Sequence, residues 1–165
     1  MDGVLVDMVQ GILDWYQIDK VDWPKGEYNL NKILGFDVFK DLPWQFWANL
    51  HCTKHGKALL RYVDDPIILT QPTDIECVKG KEIWLEGNGL LLNSHITTNK
   101  ALYANFEAVL IDDYLVNCLN FFKAGGQAIC WPTVHNNLHS YAHDPLEHVL
   151  KQIHILRDSQ YDYDT

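Results

Sequence analysis

Hydrophobic positions along this chain follow one period in its first half and another in its second. Over residues 8–17 the apolar residues Val9, Ile12, Leu13 and Tyr16 share one face at helical spacing. Over 18–65 the pattern is cut by Pro24, Gly26, Gly35, Pro43 and Gly56, which leaves short helical pieces at 37–40, 44–50 and 57–63. From residue 66 onward, short uninterrupted apolar runs alternate with longer amphipathic stretches. The runs at 66–70, 94–98, 108–111 and 127–131 predict strands, and the stretches at 74–86, 114–123 and 145–157 predict helices. Asp7 and Asp144 stand where N-caps belong, the latter just before Pro145 in a first helical turn.

Strands alternating with helices predict an α/β fold, a parallel sheet with helices on both faces. Runs without polar alternation, such as Ile67-Ile68-Leu69, suit strands covered on both sides. Residues 1–17 and 66–165 form the expected core, and 18–65 a small helical cap inserted into it. The polar, acidic tail at 160–165 is expected to fray.

Charge narrows the partners. The formal net charge is -9, and Lys and Arg are scattered, with Lys79 and Lys81 the densest pair. Duplex nucleic acid and anionic membranes are therefore poor partners, since both are gripped through basic faces. A small anion remains open, because one lysine and a cation suffice locally. The six tryptophans and eight tyrosines serve cores and ligand pockets equally. None of the four cysteines forms a C-x-x-C pair, no apolar stretch is of membrane-spanning length, and no leader precedes Asp2, so free thiols and a cytoplasmic protein are expected. A homodimer is compatible with all of this.

Ligands of open parallel sheets collect outside the carboxyl ends of the strands. The predicted strands deliver Thr70, then Asp112 and Asp113, then Thr133 and His135; Lys100 follows the Thr97-Thr98-Asn99 turn, and Asp2 and Asp7 flank Gly3 near the start. Clustered carboxylates favour a hard, oxygen-seeking cation such as Mg²⁺. A lysine and a hydroxyl beside it can hold phosphate oxygens, which suits phosphoryl transfer. His135, His139 and His143 lie at i, i+4 and i+8, but the Asn and Pro residues around them argue for a loop rather than a metal-binding helix face.

In order along the chain, Asp2-Gly3-Val4-Leu5-Val6-Asp7, Leu69-Thr70, Lys100 and Leu110-Ile111-Asp112-Asp113 resemble the four motifs of the haloacid dehalogenase superfamily, the first being the second half of its D-x-D-G-x-x-x-D signature. The stretch from Val109 to His135-Asn136 resembles the 5'(3')-deoxyribonucleotidases of that superfamily.

The resemblance implies a Rossmann-like fold and a Mg²⁺-dependent phosphohydrolase acting on (deoxy)nucleoside monophosphates through an aspartyl phosphate. It implies that Asp2 is the general acid/base, that Thr70 holds a phosphoryl oxygen, and that Lys100 stabilises the phosphoryl group. Asp2, Asp112 and Asp113 would serve the metal, with either member of the pair in direct contact. Trp44, Phe46 and Trp47 would meet the nucleobase or else pack the cap. Lys79 and Lys81 are alternatives to Lys100. The nucleophilic aspartate of the pattern would stand two positions before Asp2, so it and the strand before it are expected to be missing. Two rival readings stay open: a non-catalytic nucleotide-binding protein of the same fold, and a phosphatase for another small phosphoester.

Overall fold

The structure, a computed structural model, describes residues 1–24 and 26–161. It is mixed α/β. The first helix, α1 (Met8–Trp15), is capped by Asp7, whose carboxylate accepts from the Gln10 N–H at 2.9 Å. Three short helices follow, α2 (Leu30–Leu34), α3 (Trp44–Ala48) and α4 (Lys54–Tyr62). Beyond them strands and helices alternate: β1 (Ile68–Thr70), α5 (Ile75–Gly87), β2 (Ser94–Ile96), β3 (Val109–Asp112), α6 (Leu115–Lys123), β4 (Gln127–Cys130) and α7 (Pro145–Tyr161). Asp144 caps the start of α7 through the Glu147 N–H. The last residues of the tail expected to fray, 162–165, lie outside the described residues.

All strand pairing is parallel, but it does not make one sheet. β1 pairs with β2 and β3 with β4, as two separate two-stranded units. This departs from the single sheet expected, because no described strand stands between β1 and β3. The segment at 37–40 forms a turn rather than a helix, and α2 forms where no helix was expected. Asn29 explains α2: its side chain caps the Lys32 N–H at 3.1 Å, and Gly35 closes the helix in the left-handed region.

One hydrophobic core runs through the molecule. Leu30, Val38, Phe46, Trp47 and Leu59 of the 18–65 stretch are buried in the same cluster as Val6, Ile12, Trp84, Ile129 and Val149. α3 lies directly on α5, where Gly80 allows the contact: a Cβ there would come within 2.3 Å of the Trp44 carbonyl oxygen. None of the described helices is long and apolar enough to cross a membrane.

Candidate phosphate and cation site

The first six residues form a tight loop, with the Leu5 N–H donating to the Met1 carbonyl at 2.8 Å and the Gly3 N–H to that of Val6 at 2.9 Å. The loop faces the carboxyl ends of β1 and β3. Gly3 is in the left-handed region at φ +71°, and a Cβ there would lie 2.0 Å from an Asp113 carboxylate oxygen. Only glycine combines that backbone with so close an approach.

Asp2, Thr70 and Lys81 form one cluster. Lys81 Nζ donates to Asp2 Oδ2 at 2.6 Å, to Thr70 Oγ1 at 2.9 Å and to the Gln71 carbonyl at 2.5 Å. Thr70 Oγ1 also reaches Asp2 Oδ2 at 3.4 Å. Burial pushes the Asp2 carboxyl upward, but the positive charges around it, Lys81 first and then the Met1 amino group and Lys100, together outweigh burial and hold the group below the usual carboxylate range. Asp2 Oδ1 is buried with no hydrogen-bond partner among the described residues.

Lys100 and Asp112 form a second cluster. Lys100 Nζ donates to Asp112 Oδ2 at 2.5 Å, while Asp112 Oδ1 accepts from the Tyr114 N–H and from Asn117 Nδ2, each at 3.0 Å. Both Asp112 oxygens are thus occupied by the protein. Asp113 differs. Among the described residues its side-chain partner is the Tyr28 hydroxyl, which donates to Oδ2 at 3.0 Å. Burial first, and then the Asp112 charge beside it, push the Asp113 carboxyl up to about 7. Its carbonyl is tied down by Asn136 Nδ2 at 3.0 Å, which also grips the Trp131 carbonyl at 2.8 Å.

Asp113 lines a cavity of about 210 Å³ with Gly3, Asp7, Tyr28, Thr133 and His135. Trp23 packs on His135 at 4.1 Å between ring centroids, and Tyr28 on Tyr114 at 4.7 Å. Burial lowers the His135 imidazole below its ordinary value.

No family model matches this chain, and no curated protein matches it. The residues must therefore speak for the site. Asp2, Thr70, Lys100, Asp112 and Asp113 gather where the loop meets β1 and β3. Trp44, Phe46 and Trp47 do not line the cavity at Asp113: Trp44 and Trp47 meet α5, with Lys79 Nζ 4.7 Å from the Trp44 ring and Lys81 Nζ 5.3 Å from that of Trp47, and Phe46 packs edge-on against Trp15 of α1 at 5.8 Å. Lys81 is added to Lys100 rather than replacing it. Its signal in the sequence is position: Cys77, Lys81, Trp84 and Leu85 make the buried stripe of α5, and a lysine in such a stripe needs an internal partner. Tyr28 carried no local signal, being 85 positions from Asp113.

A hard cation fits this donor set. Among the described residues Asp2 Oδ1 lacks a hydrogen-bond partner, and Asp113 is a buried carboxyl held above its ordinary range by burial and by the Asp112 charge. Among the described residues no three His, Cys, Asp or Glu side chains converge as a ready ligand cage. With both Asp112 oxygens engaged, Asp113 is the member of the pair free to ligate.

Proposed function

We propose that this chain is a Mg²⁺-dependent phosphohydrolase of the haloacid dehalogenase type, on a Rossmann-like core with 18–65 as its cap, acting on a small phosphate ester. The observation that carries this reading is the meeting, at two strand ends and one glycine loop, of a buried lysine, a half-buried lysine, a buried threonine and three carboxylates. In the proposed roles Asp2 and Asp113 hold the cation, which withdraws charge from the phosphoryl oxygens. Thr70 and Lys81 bind one phosphoryl oxygen, and Lys100 neutralises Asp112 and the phosphoryl charge. Asp2 is the general acid/base by resemblance.

The substrate class is a nucleoside monophosphate by resemblance alone. A cavity of about 210 Å³ is smaller than the ~300–1,000 Å³ usual for larger ligands. It accommodates the phosphate end, leaving a base to rest at the rim on Tyr28 and Trp23. That volume equally favours a sugar phosphate. One observation favours the non-catalytic reading: Lys81 holds Asp2 ionised, which is the wrong state for a general acid.

The test is Mg²⁺-dependent phosphate release from nucleoside monophosphates and sugar phosphates, by the chain as it stands and by one with an aspartate placed directly before Met1. Release by the second alone supports the aspartyl-phosphate reading. Mg²⁺-dependent binding without release by either chain supports the binding-protein reading. Release by the chain as it stands would mean that another group attacks phosphorus.

A further inference from the structure

α6 is apolar on two faces. Cys118 and Phe121 are buried on its inner side. Leu115, Leu119 and Phe122 share the outer side at i, i+4 and i+7, with Val116 next to Leu119 on the helix surface. Asn117, Asn120 and Lys123 are the polar residues of this nine-residue helix. A helix with apolar residues on every side is one that is covered on every side. Here the outer face meets solvent: Phe122 is 67% exposed, and Leu115, Val116 and Leu119 are exposed as well.

The apolar face extends beyond the helix. The 3₁₀ turn Lys100–Tyr103 packs against α6. Just after it, a Cβ on Gly126 would meet both the Phe121 ring and, at 3.2 Å, the Ala104 Cβ, which sets residue 104 beside residue 121. This brings Leu102 and Phe106, each 76% exposed, alongside α6. None of the six borders the slot between β1 and β3. At ~200 Å² for a large apolar residue, the six leave roughly 700 Å² open. The largest apolar patch of an ordinary monomer covers ~300–600 Å².

Area, spacing and charge point to the same occupant. Two such faces pressed together remove ~1,400 Å², inside the ~1,200–2,000 Å² of a stable, specific pair. Steps of four and then three residues form the seam of two helices packed side by side at ~20°. The steps are nearly symmetric about Leu119, so the seam complements itself when the second helix runs the other way. Leu119 then meets the partner's Leu119, and Leu115 meets the partner's Phe122. The chain carries a net charge of -9, but the charged residues next in sequence to Phe122 and Phe106 are Lys123 and Glu107, one of each sign. A basic partner would be drawn to the acidic remainder of the surface. Two like-charged chains approach most easily where charge is balanced.

We propose that α6, with Leu102 and Phe106 beside it, is the face through which two copies of this chain pair about a two-fold axis. The pairing is independent of the phosphate chemistry proposed above.

The test is sedimentation velocity of the chain over a range of concentrations. The expected result is a reversible monomer–dimer equilibrium of the 19.1 kDa chain. It should tighten as NaCl rises from ~50 to ~500 mM, because salt screens the repulsion between like net charges. Leu119→Lys changes an exposed position and leaves the inner side of α6 alone. It should weaken the dimer about a hundredfold, roughly tenfold for each copy of the side chain, with the circular dichroism and urea midpoint unchanged. Leu119→Cys gives a check that needs no loss of binding: a short bis-maleimide should join two such chains well above the parent's background. Leu92→Cys, at an exposed position outside the face, should stay at that background. The proposal is overturned by a parent chain that stays monomeric to ~200 µM, by a dimer that Leu119→Lys leaves intact, or by equal cross-linking of the Leu119→Cys and Leu92→Cys chains.

Discussion

Two adjacent carboxylates close β3, and burial treats them differently because their partners differ. Asp112 has Lys100, a backbone N–H and Asn117, whereas Asp113 has the Tyr28 hydroxyl. Held at about 7, the folded Asp113 carboxyl keeps a proton that the unfolded chain loses near pH 4. Folding therefore takes up a proton in that window, and stability falls as pH rises through it, by on the order of 4 kcal/mol. Asp113→Asn removes the titration and leaves an acceptor for Tyr28. Without divalent cations, its advantage in urea unfolding should widen from pH 4.5 to 7.5. The Met1 amino group, lowered to about 6 by burial, works in the opposite sense between about pH 6 and 8 in both chains. Parallel curves would show that Asp113 is ionised in the folded protein throughout.

At the scale of elements, the contact of α3 with α5 decides where the aromatic cluster of the 18–65 stretch goes. Gly80 sits under it, with the Trp44 carbonyl oxygen 2.3 Å and the Trp47 Cβ 2.5 Å from where its own Cβ would be. Alanine is ordinarily better than glycine in a helix by ~1 kcal/mol. Here the clash reverses the sign, since overpacking costs ~1–3 kcal/mol. Gly80→Ala should lose about 1–2 kcal/mol in chemical denaturation. Gly87→Ala, at the end of the same helix with open space around it, should lose nothing. Equal behaviour of the two would mean that α3 can shift away from α5 at little cost.

Across the whole molecule, the shared core binds the 18–65 stretch to the rest. Trp47 belongs to that stretch and Trp84 and Trp131 to the other part, yet all three are buried in one cluster. Tryptophan fluorescence and far-ultraviolet circular dichroism should therefore report a single, coincident unfolding transition. Two separated transitions would make 18–65 an independently folding unit.

Local order was legible in the sequence because it depends on neighbours. The four strands lie within or beside the short runs that predicted them, and Asp7 and Asp144 cap the helices they precede, since strand period and caps involve residues within about four positions. Thr70, Asp112 and Asp113 could be set at strand ends for the same reason. What the tertiary structure alone decided depends on docking between distant segments. Lys81 reaches Asp2 across 79 positions and Tyr28 reaches Asp113 across 85, and no local pattern encodes either pair. Trp44, Phe46 and Trp47 looked alike as pocket or packing residues until α5 was placed against the two tryptophans and α1 against Phe46. Strand pairing is likewise non-local: the apolar runs specified strands, but only the fold determined that they form two parallel pairs with a slot between them.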